Sequence, residues 1–214
     1  MRFIHVPKQK KVFGINTSDQ EINDLIKGWV IISIAFTVLL YGFSSTLGVF
    51  IFFIVSLITV GTGFIFHEMG HKLVAQHYKC WAEFRADNMM LMIALVSSFF
   101  GFIIAAPGAV VIYGPHITKK HNGIISSAGP LTNFAASIIF FGLLFFPNAF
   151  VHTIALYGFL INSWLGLFNL IPIMNFDGRK ILKWSKPVYS GMVIIGVFLG
   201  IIAWLILKGI LFSF

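Results

Sequence analysis

The feature of this sequence that most constrains its fold is a run of 39 residues, 28–66, without Asp, Glu, Lys or Arg. About 20 helical residues cross a hydrocarbon core about 30 Å thick, so this run is long enough to reach across a membrane. Similar charge-free stretches cover 88–118, 121–176 and 187–207. With 58% hydrophobic residues and a mean hydropathy of +0.92, the chain has more apolar surface than a soluble core of this size can bury. The sequence therefore predicts a membrane protein.

Turn residues divide the apolar stretches into five predicted transmembrane helices. Their predicted ranges are 22–43, 47–79, 123–146, 149–171 and 187–212. Pro147 and Asn148 separate the third helix from the fourth. The sequence SDQE at 18–21 predicts a capping box at the start of the first helix, in which Ser18 accepts from the first turn and Glu21 reaches back.

Residues 88–118 either cross the membrane or fold back around Pro107 and Gly108. In the folded-back arrangement, every Lys and Arg except Lys208 lies on the cytoplasmic side, whereas a crossing moves six of these charges outside. The charge distribution favours the folded-back arrangement. The second half of 106–114 is rich in β-formers and predicts a short strand. We therefore expect an all-α polytopic membrane protein of five to six transmembrane helices, with a folded-back, partly β segment at 88–118.

The positive charge also bears on partners and domains. The net charge of +8 comes from short clusters between apolar runs, which is typical of residues that orient a protein in a lipid bilayer and not of a nucleic-acid surface. We expect a cytoplasmic segment at 1–27 followed by a single membrane domain at 28–214. The only cysteine is Cys80, so any metal must be held by His and carboxylate side chains.

The first apolar run ends in HEMGH, residues 67–71. On a helix this spacing places His67 and His71 on one face with Glu68 beside them, which is the HExxH zinc-binding pattern. The alternative is that these polar residues only meet the headgroups where the span ends. Ionisable residues at membrane depth are costly and usually serve a function, so the pattern favours a zinc site.

A catalytic zinc site usually has three protein ligands. Asp177 is the only carboxylate after residue 87. If 88–118 folds back, the second and fourth predicted helices run in the same direction, so Asp177 falls at the cytoplasmic level of His67 and His71. The alternative role for Asp177 is a cap for the helix that follows it.

Three motifs together resemble the site-2 protease family of intramembrane metalloproteases (peptidase family M50), in its small prokaryotic type. They are HEMGH at 67–71, AGPLTN at 128–133, and an N-x-x-P…DG pattern formed by Asn169, Pro172, Asp177 and Gly178. The motifs cover a core from about 48 to 182. The family's NPDG variant is replaced here by Asn175, Phe176, Asp177 and Gly178, without the proline.

The resemblance implies one Zn²⁺ per chain, held by His67, His71 and Asp177, with Glu68 as catalytic acid/base. It also implies that Asn169 contacts the substrate or the developing oxyanion. Asn133 is a second predicted substrate-binding residue, or else an interhelical hydrogen-bonding residue. The other histidines (His5, His77, His116, His121 and His152) are not predicted ligands.

The expected function is hydrolysis of peptide bonds within or near a transmembrane helix of a membrane-protein substrate, near the cytoplasmic side of the cell membrane. Glu68 would take a proton from zinc-activated water and pass it to the leaving amine. A membrane metal transporter is the main alternative, but the ranges 22–43, 123–146 and 187–212 offer only Asp24 as a further ligand. A catalytically silent helix-binding pseudoprotease is a third possibility, and the intact Glu68 argues against it.

Overall fold

The computed structural model describes residues 10–103, 107–114, 117–174 and 176–211. The α-helices are α1 (Asp19–Tyr41), α2 (Thr46–Ser56), α3 (Thr62–His77), α4 (Asn88–Ser98), α5 (Lys119–Leu143), α6 (Ala149–Asn169), α7 (Asp177–Trp184) and α8 (Lys186–Leu207). The strands are β1 (Lys10–Val12), β2 (Ile15–Thr17), β3 (Trp81–Ala86) and β4 (Gly108–Tyr113). A π-helical turn, Leu57–Gly61, joins α2 to α3 without a break in the helix.

Five stretches of helix are long and apolar enough to cross a membrane, which confirms the predicted architecture of an all-α polytopic membrane protein. They are α1, the continuous stretch Thr46–His77, α5, α6 and α8. Their ends lie within about five residues of the predicted ends, although the predicted end at residue 212 lies outside the described residues.

Polar caps start these helices at the predicted breaks. The Ser18 hydroxyl accepts from the Glu21 amide in the first turn of α1, and Asn148 accepts from two amides at the start of α6. The other half of the predicted capping box, in which the Glu21 side chain reaches back to the start of the helix, was wrong. The Glu21 side chain binds Lys72 of α3 and the Phe84 amide of β3, because both are buried groups that need a counterpart.

The segment after β3 folds back. Its helix, α4, has 11 residues and a length of about 16 Å, too short to cross a core about 30 Å thick. The Asp87 amide at the start of α4 donates to the Pro107 carbonyl at 2.9 Å, so the chain returns to the place it left. The predicted fold-back is therefore confirmed; residues 104–106 and 115–116 lie outside the described residues.

The returning chain forms the strand predicted within 106–114, whose first residue, Ala106, is not among those described. This strand, β4, pairs antiparallel with β3 from Trp81↔Tyr113 to Ala86↔Gly108. The partner strand was not predicted, and Glu83 lies fully buried in it. The short sheet fixes β4 beside α3, the helix that contains HEMGH.

The last four helices pack around one apolar cluster. Its buried members are Phe134, Leu144, Ala155, Phe159, Leu160, Leu170, Ile181, Met192, Leu199, Ala203 and Ile206. Gly178 brings α7 against the end of α6, since a Cβ at Gly178 would overlap the backbone of Leu170. This close approach places the start of α7, and with it Asp177, next to the helix bundle.

Candidate metal centre

The two histidines of HEMGH lie one turn apart on α3, and both are buried. Their ring planes are nearly perpendicular, and their Nε2 atoms are 3.1 Å apart. Two ring nitrogens at this distance share either a proton or a cation, because two lone pairs facing each other would repel.

Asp177 completes the group from the first residue of α7. Its Oδ2 atom lies 3.3 Å from His67 Nε2 and 3.0 Å from His71 Nε2. The structure thus brings together the three residues predicted as ligands, from chain positions about 110 residues apart. Among the described residues they are the one group of His, Cys, Asp and Glu side chains close enough to hold a metal ion.

The spacing of these three atoms fits zinc. Zinc bonds to nitrogen and oxygen of about 2.0–2.1 Å place tetrahedral ligands about 3.3 Å apart, and the three observed separations are 3.0–3.3 Å. Gly129 of α5 leaves the necessary room. A Cβ at Gly129 would lie 2.6 Å from His67 Nε2 and would also overlap His71 Nε2. The donor set and the space beside it both suit a metal ion.

Hydrogen bonds hold both rings with Nε2 facing the group. His67 Nδ1 lies 2.6 Å from Asn133 Oδ1, and His71 Nδ1 lies 2.8 Å from the Ile125 carbonyl oxygen. Each partner is an acceptor, so each Nδ1 carries the proton and each Nε2 keeps its lone pair. This tautomer is the one that binds a metal through Nε2.

The charge of Asp177 is set by the histidines. Burial by itself would raise the pKa of this carboxyl, but His71 and His67 hold that pKa well below its usual range when their rings are protonated and donate to it. Lys180, one turn along α7, lies 3.5 Å from Asp177 Oδ1. A metal ion at this group would replace the proton between the rings and Asp177, and would be held by an ionised Asp177 and the two Nε2 lone pairs.

Glu68 lies beside this group and is buried. Its Oε2 atom is buried and has no hydrogen-bond partner in the described part of the chain. The Val110 backbone amide of β4 faces the Glu68 carboxyl group. A buried acceptor atom left open beside the metal ligands suits a residue that takes up a proton during a reaction.

Comparison with known proteins identifies the family. No family model and no solved structure matches the chain. A Methanocaldococcus jannaschii protein named "Putative zinc metalloprotease MJ0611" is 45% identical over 157 residues, which cover 71% of this chain and 82% of that protein. The chain belongs to this zinc metalloprotease family. The His67, His71 and Asp177 group found in the structure is the kind of metal site that the family name requires.

Two residues predicted to bind substrate in this metalloprotease have other partners. Asn133 is fully buried and binds His67, the Gly63 carbonyl and another asparagine, so its contacts are those of the alternative, interhelical role. The Asn169 amide donates to the Leu165 carbonyl of its own helix at 2.9 Å. Its role in substrate contact stays a prediction.

Two of the histidines that were not predicted as ligands lie against an aromatic ring. His77 and His121 both pack against the Tyr78 ring. His5 and His116 lie outside the described residues. So does Asn175, the first residue of the segment that replaces the NPDG motif.

Sequence reasoning missed three groups that surround the ligands. Lys180 was predicted only as one of the positive charges on the cytoplasmic side. Its position three residues after Asp177 on a helix could have indicated that the two side chains are neighbours. The Val110 amide and the Ile125 carbonyl are backbone groups, and no residue pattern indicates them.

Proposed function

We propose that the protein is an intramembrane zinc metalloprotease of the site-2 type, which hydrolyses peptide bonds within or near transmembrane helices. The observation that carries this proposal is the position of the buried His67, His71 and Asp177 group. Two of its ligands lie within a membrane-spanning stretch of 32 residues, Thr46–His77. A protein substrate that meets this group must itself lie in or at the membrane.

The metal ligands and Glu68 have separate tasks. His67, His71 and Asp177 hold one Zn²⁺, and Gly129 leaves the space for it. When bound, the zinc supplies a Lewis acid that polarises the scissile carbonyl and acidifies water. Glu68 takes the proton from the attacking water and delivers it to the leaving amine, and its open Oε2 atom is the acceptor.

A substrate helix must unwind before its peptide bonds are accessible, and β4 offers a template for the unwound segment. Phe84 of β3 donates to Glu21 and not to β4, and Phe84 is paired with Val110. In an antiparallel pair of this kind, the Val110 amide points away from β3, towards Glu68. An extended substrate segment paired with this outer edge of β4 would lie beside the catalytic acid.

The strand-addition step is tested at Ile112, whose amide points to the same side as that of Val110 because amide directions alternate along a strand. Ile112→Pro removes one donor from the outer edge and leaves the bonds to β3. We expect cleavage to fall, whereas Ile112→Ala, which keeps the amide, retains most activity. Equal activity of the two variants would contradict the template.

The orientation follows from the positive charges. Lys and Arg residues cluster at 72–85, 119–120 and 179–186, at the ends of the helices that also bring His71 and Asp177 together. We place this end on the cytoplasmic side of the cell membrane. The partners are then the lipid bilayer and the transmembrane helix of a substrate protein.

The experiment that tests the function uses purified protein in liposomes with a single-span reporter helix that contains a central Gly–Pro pair. We expect cleavage within the membrane-embedded part, cleavage at least about 100-fold slower by Glu68→Gln, and loss of cleavage after zinc chelation. Cleavage by Glu68→Gln at the wild-type rate would reject the assignment. Zinc uptake into the liposomes without cleavage would instead indicate a transporter.

A further inference from the structure

Two asparagines are fully buried at membrane depth behind the metal centre, Asn133 on α5 and Asn162 on α6. They form a chain of hydrogen bonds that ends at a metal ligand. Asn162 Oδ1 accepts from Asn133 Nδ2 at 3.1 Å, and Asn133 Oδ1 lies 2.6 Å from His67 Nδ1. Amide groups placed out of reach of water are retained only where their hydrogen bonds are made.

Each amide has every polar group in use. Asn133 Nδ2 donates to the Gly63 carbonyl at 3.2 Å and to Asn162. Asn162 Nδ2 donates to the Gly158 carbonyl at 2.9 Å and to the Thr59 carbonyl at 3.4 Å. Because two carbonyls face the Asn162 NH₂ group, its oxygen must face Asn133.

The orientation of the Asn162 amide determines, through Asn133, which nitrogen of His67 carries the proton. With the Asn162 oxygen towards it, Asn133 must present its NH₂ group to Asn162 and its oxygen to His67. An oxygen at that place requires a proton on His67 Nδ1 and leaves the lone pair on Nε2. If Asn133 were turned over, its NH₂ group would favour the opposite tautomer, in which Nε2 carries the proton and cannot bind a metal.

The backbone is shaped to admit Asn162. Gly63 lets the side chain approach α3, since a Cβ at this position would overlap Asn162 Oδ1. The Thr59 carbonyl belongs to the π-helical turn Leu57–Gly61. Such turns displace carbonyls from the regular helical ladder and occur frequently at functional sites.

We infer that Asn162 is a positioning residue of the metal centre, which acts through Asn133 to fix the tautomer and orientation of His67. This inference rests on the proposed function, because it assumes that His67 binds the metal. Among the described residues, Asn162 forms no hydrogen bond with His67, His71, Asp177 or Glu68.

Metal affinity tests the inference without reference to cleavage. Purified full-length protein is stripped of metal and titrated with Co²⁺, whose visible absorption reports the ligand geometry. Asn162→Leu keeps the approximate volume and removes the acceptor for Asn133. We expect Co²⁺ to bind this variant about 10- to 100-fold more weakly, with an altered absorption spectrum, as is typical when a ligand's hydrogen-bonding support is removed.

The chain offers a matched control one residue along the same helix. Ser163 is fully buried and binds Ser137 of α5 at 2.6 Å, so it too joins α6 to α5, but it is not part of the chain to His67. Ser163→Ala should bind Co²⁺ within about twofold of wild type, since loss of an interhelical hydrogen bond alone leaves His67 supported. Asn162→Asp, whose buried carboxyl is favoured in the protonated form, keeps an acceptor for Asn133 and one donor for the facing carbonyls, so it should recover most of the affinity lost in Asn162→Leu.

The outcomes separate the inference from the proposed function. Wild-type affinity in Asn162→Leu, or an equal loss in Ser163→Ala, would overturn the role of Asn162 while the metal centre stands. An equal loss in Asn162→Asp would also overturn it, because an acceptor for Asn133 would then make no difference to the affinity. Failure of the wild-type protein to bind Co²⁺ or Zn²⁺ would instead remove the metal centre itself.

Discussion

The two faces of α3 deal with buried polar residues in opposite ways. His71 and Lys72 are neighbours in sequence, and both are buried. His71 turns its lone pair towards His67 and Asp177. Lys72 points to the other face and forms an ion pair with Glu21, a residue of α1 that is completely buried.

The ion-paired face supplies its own counter-charges. Glu21 accepts from Lys72, from the Thr17 hydroxyl at 2.6 Å and from the Phe84 amide at 2.9 Å. Glu83, next to this group, binds Arg85 and the Ser18 hydroxyl through Oε2, and only its Oε1 atom lacks a partner in the described residues. Opposite charges and hydrogen bonds within the protein satisfy nearly all of this network.

The metal face, which contains His67 and His71, instead brings electron-pair donors together. Its three converging atoms are all electron-pair donors, and Glu68 Oε2 has no partner among the described residues. Burial of polar groups is thus common to both faces and does not by itself mark a site. The difference is that one face is completed by the protein, whereas the other leaves three electron-pair donors around a place that a cation fits.

The largest expected effect is on catalysis at the metal face. Glu68→Gln keeps the shape of the side chain but removes the proton acceptor, so cleavage of the reporter helix should fall about 10²- to 10⁴-fold. The measurement is the initial rate in liposomes, with zinc content checked in parallel. Lys72→Met, which alters the other face, serves as the comparison, and a larger loss of cleavage per folded molecule in it would contradict the division between the faces.

The next effect is on stability at the ion-paired face. Lys72→Met leaves the Glu21 carboxylate buried without its counter-charge and should lower the free energy of unfolding by about 3–5 kcal/mol. Adding Glu21→Gln should restore most of this loss, because the buried charge is then gone. Denaturation in detergent micelles measures both. A double variant as unstable as the single one would show that Lys72 acts by packing and not by charge.

A smaller effect is expected from filling the space at the metal. Gly129→Ala places a methyl group against both Nε2 atoms, and overpacking of this kind costs about 1–3 kcal/mol, or about 5- to 150-fold in zinc affinity. Gly142→Ala, on the same helix, meets nothing within 4 Å and is the control. Zinc titration compares the two. Equal affinities would mean that the ion does not occupy the space beside Gly129.

The smallest effect is expected for a charge pair that neither face uses. Lys10 and Asp19 form an exposed ion pair at the start of α1. Lys10→Gln should change the free energy of unfolding by less than about 0.5 kcal/mol, since water screens both charges. A loss as large as that of Lys72→Met would show that burial is not what separates the two pairs.

Much of the metal face could be predicted from the sequence because its signals are local or unique. The spacing of His67 and His71 fixes their common face. Asp177 is the only carboxylate after residue 87, and the predicted fold-back placed it at the same level as the histidines. The charge-free runs set the five spans. The positive charges indicated the fold-back, which the hydrogen bond between Asp87 and Pro107 shows.

The ion-paired face could not be predicted, because its pairs join residues far apart in the chain. Glu21 and Lys72 are 51 positions apart, and the capping box that contains Glu21 gives no indication of Lys72. Strand β3 lacks a strong pattern and depends on its pairing with β4. For Asn133 the sequence indicated the residue but not its partner, because the choice of partner is made by the packing of α5 against α3 and α6.

The most direct test of the account is the zinc content per purified chain of the wild type, Glu68→Gln and Asp177→Ala. We predict one zinc in the first two, since Glu68 is not a ligand, and loss of zinc in the third, since Asp177 supplies one of three ligand atoms. Full zinc content in Asp177→Ala, or no zinc in the wild type after gentle purification, would contradict the three-residue metal centre.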